Sequence, residues 1–350
     1  MPTINGIGEL LKALEGLTRA LELRSDTCSV VVSEYGGRVL GVFFEDEPNA
    51  LWVSEDPSGT IRSGGWNIGG NRLWVSPERN FYYRNPVAFE SWFCPSSLDP
   101  GAWSAIESGE KSVTLNNDLE LEDLLNGRRF GLSLSRRITL VEDGKREGGL
   151  DHVVLRLKDA LLVKDLVPGG INLWSLTQVR PPRVGAGTVV VPTRQKAVPV
   201  HYFGAIPKNR LKVTRDHIAF RIDGLEVHKL GVRPEDMRCT GCSSIHYYFE
   251  PKKGRAFLIS MSTSMAPADQ DECLDVAKAD PNGPRGCVQS YNSGPDQAFG
   301  EIELHFRPAL RVGGHMVSYA DYEIKVATGG RASVRRELAR SAGVRKPLLF

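Results

Sequence analysis

Residues 28–44, CSVVVSEYGGRVLGVFF, indicate the fold of this chain. Two segments rich in β-branched and aromatic residues, 28–32 and 38–44, flank the turn residues Glu34-Tyr35-Gly36-Gly37, which is the pattern of an antiparallel β-hairpin. Similar short segments, separated by glycine, proline or Asn/Asp clusters, recur along the chain without a linker between them. The sequence therefore predicts an all-β protein that forms one large antiparallel sandwich. The further strands are expected over 50–54, 72–76, 88–93, 111–116, 130–140, 152–158, 171–179, 188–191, 198–203, 211–213, 217–223, 245–250, 256–264, 286–292, 299–306 and 316–326.

Helical periodicity is confined to the two chain ends. Apolar residues recur every three or four positions from Ile7 to Leu21, which predicts an amphipathic helix over 7–24 that packs on the main body; a partner-binding helix is the alternative. The segment 331–342, RASVRRELARSA, predicts a basic C-terminal helix. We therefore expect an N-terminal helical segment over 1–27, a sandwich domain over 28–330 and a helical tail over 331–350.

The composition is that of a globular protein with little net charge. The 350 residues contain 44 Lys and Arg against 42 Asp and Glu, so no strong field favours nucleic acid or an anionic membrane as a partner. The N-terminus lacks a basic region followed by an apolar run, and no segment approaches the ~18 apolar residues of a membrane span. We therefore expect a cytoplasmic protein, either a monomer or a small homo-oligomer.

The segment 64–78, GGWNIGGNRLWVSPE, is the most unusual in the chain. Two Gly-Gly pairs flank Trp66, and a short strand then carries Arg72 and Trp74 on one face and apolar residues on the other. Tryptophan rings stack on the apolar faces of sugars, while Arg and Asn side chains bond to hydroxyl groups. The segment therefore predicts a carbohydrate-binding cleft approached by glycines, with core packing as the alternative for each aromatic side chain.

A second candidate group lies near the end of the chain. The predicted strand 299–306 alternates Glu301, Glu303 and His305 with apolar residues, which places two carboxylates and an imidazole on one face. Such a set suits acid–base catalysis. The solvated outer face of an antiparallel strand produces the same alternation, and this interpretation stays open.

Histidines and cysteines provide further candidates. His201 and His246 lie in predicted aromatic strands beside tyrosines, where burial can tune an imidazole for proton transfer; hydrogen-bonded packing is the alternative. Cys239 and Cys242 form a single C-x-x-C, and the spacing to the two cysteines downstream does not fit a zinc ribbon. A local disulfide or free thiols are therefore expected there, with a metal site as the remaining alternative.

Three segments carry motifs in a fixed order: 69–78 reads GGNRLWVSPE, 171–178 reads INLWSLTQ, and 303–308 reads ELHFRP. They resemble the GG-x-R-L-W-x-x-P-E, x-x-W-S-L-T-Q and E-x-x-F-x-P motifs of aldose 1-epimerase (galactose mutarotase)-like proteins, in particular of uncharacterised bacterial and archaeal branches. The resemblance covers roughly residues 28–327.

This resemblance implies a β-supersandwich that binds a mono- or oligosaccharide on its concave sheet and acts on it without a metal or an organic cofactor. In that family a glutamate accepts the proton of the anomeric hydroxyl while a histidine protonates the ring oxygen, so the ring opens and recloses. By the match, Glu303 is the expected base. The expected sugar-binding residues are Asn71, Arg72, Trp74, Trp174, Gln178 and Glu301.

One feature of the family has no counterpart at the matching position. The acid histidine of the family lies in an N-H-x-Y-F-N-L strand, whereas residues 172–176 of this chain read NLWSL. We therefore expect His201 or His246 to supply the acid from another strand, in a sugar epimerase or mutarotase. A non-catalytic carbohydrate-binding or sensing protein is the first alternative, and a lyase or glycoside-processing enzyme on the same fold is the second.

Overall fold

The computed structural model describes residues 6–143, 149–182, 185–252 and 254–350. Two large antiparallel sheets share one continuous apolar core, which confirms the predicted all-β sandwich. In spatial order, the first sheet contains β1 (Ala20–Arg24), β2 (Cys28–Ser33), β3 (Arg38–Phe44), β4 (Asn71–Ser76), β11 (Asn172–Val179), β20 (Gly300–Pro308), β19 (Val288–Asn292), β16 (His228–Val232) and β13 (Val200–His201).

The second sheet is longer and runs from a short edge strand near the middle of the chain to a hairpin around residue 110. In spatial order it contains β14 (Leu211–Val213), β15 (His217–Ile222), β12 (Gly187–Pro192), β17 (Ser243–Lys252), β18 (Arg255–Thr263), β22 (His315–Gly330), β10 (Leu150–Val163), β9 (Arg128–Asp143), β8 (Ser112–Asp123) and β7 (Ser104–Ser108), with β21 (Leu310–Val312) paired to β22. A small hairpin joins β5 (Tyr83–Asn85) to β6 (Glu90–Trp92), and the α-helices are α1 (Ile7–Leu14), α2 (Pro57–Arg62), α3 (Glu78–Tyr82) and α4 (Arg331–Ala342).

Burial differs between central and outer strands. Along β8, buried and more exposed residues alternate, so one face packs on the core while the other faces solvent. In β4, β11 and most of β20, successive residues are buried on both faces. The second face of these three strands is therefore covered by other parts of the chain, and this covered face carries the candidate site.

A buried ionic network connects the two sheets. Arg136 on β9 donates to the Gly37 carbonyl at 3.0 Å, to the Tyr322 hydroxyl at 2.8 Å and to the side-chain oxygen of Asn71 on β4. Its Nε lies 3.4 Å from the carboxylate of Asp159, and both charged side chains are buried. Each ion therefore depends on the other for its charge compensation.

The N-terminal helix is shorter than the sequence predicts. α1 ends at Leu14, and the residues after it form β1, which pairs with β2 at the edge of the first sheet. Gly16 separates the two elements with a φ of +71°, a left-handed conformation that glycine adopts without strain. The apolar residues over 7–24 therefore belong to two elements. Those up to Leu14 form the buried stripe of a helix, and those from Ala20 onward lie in a strand.

Other expectations are confirmed or corrected. α4 confirms the predicted C-terminal helix, and its Val334 and Leu338 pack on the second sheet. The predicted strand 50–54 contains isolated bridges instead of a strand, and α2 and α3 lie in segments for which no helix was predicted. Cys239 and Cys242 are joined in a disulfide, which selects one of the three alternatives for this motif.

We expect Arg136→Met to lower the free energy of unfolding by about 3–5 kcal/mol, because the variant leaves the Asp159 carboxylate buried without its cation. Arg129→Met is the matched control, since Arg129 pairs with Glu122 at an exposed position and such pairs contribute about 0–1 kcal/mol. Urea denaturation followed by circular dichroism measures both losses. Equal losses in the two variants would contradict the structural role of the network.

Candidate functional site

A cavity of about 540 Å³ lies on the face of the first sheet that points away from the second sheet. Its floor follows from strand register, because directly paired residues of antiparallel strands point to the same face. The pairs on this face are Arg72 with Leu176, Trp74 with Trp174, Gln178 with Glu301, Leu176 with Glu303, Trp174 with His305, Glu301 with Tyr291, and Tyr291 with Lys229. The predicted alternation of Arg72 with Leu73 and of Glu301, Glu303 and His305 with apolar residues is therefore confirmed.

Aromatic side chains make up about half of the cavity lining. Trp92 and Phe203 are 39% and 37% exposed, so these two rings are open to a ligand at the cavity mouth. Trp66 and Trp174 pack on either side of Trp74, with ring centres 5.4 and 5.6 Å from it. The aromatic lining residues are Trp66, Trp74, Tyr83, Trp92, Trp174, Phe203, Tyr291 and Phe299.

Two glycines of the segment 64–70 are required by close backbone packing. Gly69 and Gly70 have φ values of +113° and +77°, and a Cβ atom at either position would collide with the backbone at Trp52 or Val39. A Cβ atom at Gly64 would meet no atom within 4 Å. The segment contributes its tryptophan and arginine side chains to the cavity.

Arg72 and Glu301 form a buried ion pair at one side of the floor. Nη2 of Arg72 donates to Oε1 of Glu301 at 2.7 Å, and the guanidinium carbon lies 4.1 Å from the ring centre of Trp74. Nε and Nη1 of Arg72 are buried and have no hydrogen-bond partner among the described residues. Because Arg72 lines the cavity, these N–H groups are donors that a ligand oxygen can satisfy.

Lys229 connects two carboxylates at the other side of the floor. Its Nζ lies 3.4 Å from Oε2 of Glu78 and 3.5 Å from Oε2 of Glu303. Trp174 Nε1 donates to the same oxygen of Glu303 at 3.1 Å, and Trp92 Nε1 donates to Oε1 of Glu78 at 2.9 Å. Glu78 and Lys229 line the cavity, whereas Glu303 is fully buried and does not.

Backbone and side-chain contacts fix the position of Glu78. It is the first residue of α3, which follows β4 directly, and its N–H donates to Oδ1 of Asp275 at 3.0 Å. Oδ2 of Asp275 accepts a hydrogen bond from Gln289 at 3.0 Å, and Gln289 donates to the Tyr202 hydroxyl at 2.7 Å. The carboxylate of Glu78 is therefore held at the cavity by a helix start and a buried polar chain.

The floor of the cavity holds more carboxylates than cations. Burial raises the pKa of Glu303 to about 8, and the surrounding carboxylates add to this effect against the opposing influence of Lys229. Burial lowers the pKa of Lys229, but Glu303 and Glu78 outweigh burial, so the pKa lies above its ordinary value and the ammonium stays charged. The ionisable groups around the floor are the cations Arg72 and Lys229 and the carboxyl groups of Glu78, Asp275, Glu301 and Glu303.

His305 lies on the same face but is covered. Its ring stacks on Trp174, with ring centres 5.1 Å apart and an interplanar angle of 17°. Burial, with a smaller contribution from Lys229, holds the pKa of the imidazole well below its ordinary value, so His305 is neutral. It does not line the cavity.

Neither of the two histidines expected to act as the acid lies at the cavity. His201 pairs with Leu230, which belongs to the apolar core, and its Nδ1 accepts a hydrogen bond from the Ile206 N–H at 3.1 Å. His246 is buried on the second sheet, and its Nδ1 lies 2.8 Å from the Ser260 hydroxyl. Burial lowers the pKa of both imidazoles, that of His246 to about 4. The structure therefore does not bring His201 or His246, the two histidines expected to act as the acid, to this cavity.

Two expected sugar ligands also lie outside the cavity lining. Asn71 points to the opposite face of β4, where its Nδ2 donates to the hydroxyls of Ser175 at 3.0 Å and Thr177 at 2.9 Å. Gln178 is fully buried and donates to the side chain of Asn67 at 2.8 Å. The cavity brings together the other four members of the expected set, Arg72, Trp74, Trp174 and Glu301.

Lys229 and Glu78 have no role in the sequence-based predictions. Lys229 lies on β16, a five-residue strand absent from the expected set, and a lysine in a short alternating segment is a weak signal. Glu78 ends the segment 64–78, but the sequence does not indicate that α3 turns its carboxylate towards the cavity. Both residues become candidates once the strand register is known.

The described residues contain neither a metal-binding cluster nor a membrane-spanning helix. Across the described residues, no three or more His, Cys, Asp or Glu side chains form a group that could hold a metal ion. Within the same ranges, no helix is long and apolar enough to cross a membrane.

The fold is that of a galactose mutarotase-like β-sandwich, as the resemblance to that family implies. The structure of a protein named as a putative aldose 1-epimerase from Escherichia coli K12 aligns with a TM-score of 0.53 at 11% identity, covering 88% of this chain and 99% of that chain. A galactose mutarotase-like protein from Lactobacillus casei aligns with a TM-score of 0.44 at 10% identity, covering 89% and 100%. At 11% identity, the alignment with the E. coli structure shows the fold alone.

The sequence itself matches one family. A family model covers residues 8–158 and 165–298, and the chain belongs to this family of unknown function, DUF6786. A search of curated protein sequences gave no match.

We expect Glu303→Gln to change how stability depends on pH. The pKa of Glu303 is about 8 in the folded protein, above its ordinary value of 4.5, so between these values the folded state binds more protons than the unfolded state. The contribution of this group to stability therefore falls as pH rises through that window. Removing it should increase the unfolding free energy of the variant relative to wild type between about pH 5 and about pH 8, by up to ~1.4 kcal/mol per pH unit.

Urea denaturation at three pH values measures this difference. Glu120→Gln, at an exposed position on β8, is the matched control and should give a difference that does not vary with pH. A difference for Glu303→Gln that is flat or decreases with pH would contradict the raised pKa.

Proposed function

We propose that the protein binds an uncharged carbohydrate in this cavity and interconverts its anomers by acid–base catalysis, as an aldose 1-epimerase-like isomerase. The observation that carries the proposal is the combination, in one cavity, of accessible aromatic rings with a buried cluster of carboxylates and an ammonium group. Aromatic rings bind the apolar faces of a pyranose, and the charged groups supply hydrogen bonds and proton transfer.

The charge balance of the cavity supports an uncharged ligand. Arg72 is paired with Glu301 and Lys229 is paired with Glu78, so both cations of the floor are already compensated. Asp296 adds another carboxylate to the lining. A phosphate or carboxylate on the ligand would meet an excess of negative charge, whereas hydroxyl groups can donate to these carboxylates and accept from Arg72.

The position of Glu303 supports its place in the acid–base centre. It is the glutamate that matches the family motif, and its Oε2 lies 3.5 Å from Lys229, which lines the cavity. The oxygens of Glu303 are fully buried, so this side chain acts on a ligand indirectly, through Lys229. The E. coli fold neighbour is named for the same reaction class, which agrees with the proposal.

Glu303→Gln tests the proposed reaction. We expect wild-type protein to accelerate anomer exchange of at least one neutral aldose, and the variant to lose about 10²-fold or more of that rate, the usual contribution of an acid–base group. Magnetisation-exchange NMR across a panel of aldoses measures the rate, and Glu120→Gln should retain it. A Glu303→Gln protein with the wild-type rate would contradict the proposal.

A non-catalytic carbohydrate-binding or sensing protein is the second candidate. It is favoured by one observation, that no histidine is among the cavity-lining residues within the described ranges. A protein of this kind is stabilised by its sugar by about 2.7 kcal/mol at a hundredfold excess over Kd, without any change in the rate of anomer exchange. Exchange above the uncatalysed rate excludes this candidate.

Both candidates require sugar stacking at the cavity mouth. We expect Trp92→Ala to weaken binding of the best sugar about tenfold, equivalent to ~1.4 kcal/mol, because the variant removes an exposed ring. Trp92→Phe keeps a ring but loses the N–H donated to Glu78, and should retain most of the affinity. Isothermal titration measures Kd, with Tyr319→Ala on β22 as the control for loss of an exposed aromatic ring. Equal affinities for Trp92→Ala and the control would contradict a stacking role.

A further inference from the structure

We propose that Lys229 donates the proton to the ring oxygen of the sugar and that Glu78 accepts the proton of the anomeric hydroxyl, while Glu303 is a positioning residue that holds Lys229. This inference rests on the proposed function and assigns the acid for which the family pattern finds no match in this chain. It also transfers the role of base from Glu303 to Glu78.

The separation of the two groups fits the reaction. The ring oxygen and the anomeric hydroxyl of a cyclic aldose are attached to the same carbon, so the acid and the base that serve them must lie close together. Nζ of Lys229 and Oε2 of Glu78 are 3.4 Å apart, and both side chains line the cavity. A single acetal carbon placed above this pair can present one oxygen to each group.

Lys229 retains a donor for a ligand. An ammonium group has three N–H bonds, and the described acceptors near Nζ are the two oxygens of Glu78 and Glu303. The rings of Trp174 and Tyr202, whose centres lie 4.7 and 5.4 Å from Nζ, form apolar walls around it. These two oxygens do not use all three N–H bonds, and Lys229 lines the cavity, so the proposal assigns the remaining N–H to a sugar oxygen.

Other carboxylates of the floor are less suited to accept the proton. Oε1 of Glu301 accepts a hydrogen bond from Arg72 at 2.7 Å, so this oxygen is already occupied. Glu303 has no exposed surface and is separated from the cavity by Lys229 and Trp174. Glu78 keeps 13% of its side chain exposed, and Trp92 bonds to its Oε1, so Oε2 remains the oxygen beside Lys229.

The proton transfers balance without an external reactant. As the bond between the anomeric carbon and the ring oxygen breaks, Lys229 gives a proton to the ring oxygen and Glu78 takes the hydroxyl proton, which leaves an open-chain aldehyde, a neutral amine and a carboxylic acid. Rotation about the adjacent carbon–carbon bond exposes the other face of the aldehyde. When the ring closes, the sugar hydroxyl that attacks the aldehyde returns its proton to Lys229 and becomes the ring oxygen again. Glu78 returns its proton to the aldehyde oxygen, which becomes the anomeric hydroxyl.

The charges around Lys229 come from several elements, and all of them affect its proton affinity. Carboxylates favour the ammonium, whereas burial disfavours it. The titratable and charged groups that face Lys229 are Glu78 from α3, Glu301, Glu303 and His305 from β20, Asp275 from the loop before β19, Tyr291 from β19, Tyr202 next to β13, and Tyr83 from β5.

The test compares three variants with wild type on the best neutral aldose. Glu78→Gln and Lys229→Met should each lower kcat for anomer exchange about 10²-fold or more while Kd changes less than tenfold. Lys229→Arg, which keeps the charge, is the second variant in case the methionine variant unfolds, and it should retain part of the activity. Lys212→Met and Glu120→Gln, at exposed positions, should behave as wild type.

The role of Glu303 requires a readout that a structural contribution alone does not change. Because its carboxylate favours the charged form of Lys229, Glu303→Gln should move the alkaline limb of the kcat–pH profile to lower pH, while Glu120→Gln leaves it in place. An unmoved alkaline limb would overturn the positioning role.

The possible outcomes separate this inference from the proposed function. Wild-type protein that binds sugars but does not accelerate exchange overturns both. Active wild-type protein whose Glu78→Gln variant keeps more than half of kcat overturns this inference and leaves the isomerase function intact. Loss of activity in Glu303→Gln together with full activity in Glu78→Gln would return the role of base to Glu303.

Discussion

Adjacent residues of a β-strand point to opposite faces of the sheet. At Asn71 and Arg72 this alternation places one side chain in the core between the sheets and the next side chain at the cavity. Asn71 meets Arg136 in the network between the sheets, while Arg72 lines the cavity floor. A slip of one residue would bring the guanidinium of Arg72 into the core and remove a partner of Arg136. Because pairing is continuous from β4 through β11 to β20, the contact between Asn71 and Arg136 also constrains the register of the floor residues on these three strands.

Buried charge is the second feature that shapes the site. Removing ions from water is costly, and well-packed apolar residues often stabilise a core as well as an ion pair does. The first sheet nevertheless keeps Lys229 among several carboxylates on one face, next to a cavity. Groups with strongly shifted pKa values in a concave site are typical of proton transfer, and here the shifts follow from burial combined with specific partners. The arrangement therefore supports the proton transfer that we propose for this cavity.

The sequence predicts local alternation well and long-range proximity poorly. The hairpin at 28–44, the two faces of β4 and the face shared by Glu301, Glu303 and His305 follow from a period of two, and all are present.

The predicted helix over 7–24 is longer than the observed helix, because the stripe of leucines continues into a strand. The two histidines do not line the cavity for a different reason: His201 pairs with the core residue Leu230 and His246 lies on the second sheet, and a single sequence does not show which sheet or face a strand residue joins. Lys229 and Glu78 come together from β16 and α3, a contact that the separate local patterns do not contain.

The central claim is that a sugar binds with its anomeric carbon above the pair formed by Lys229 and Glu78. The most direct measurement is a crystal structure of the full chain soaked with the neutral aldose that it binds best. The account predicts electron density in the aromatic cavity, with the ring oxygen and the anomeric hydroxyl each within about 2.6–3.2 Å of Nζ of Lys229 and Oε2 of Glu78. A sugar bound outside this cavity, or bound in it with the anomeric carbon directed away from both groups, would contradict the account.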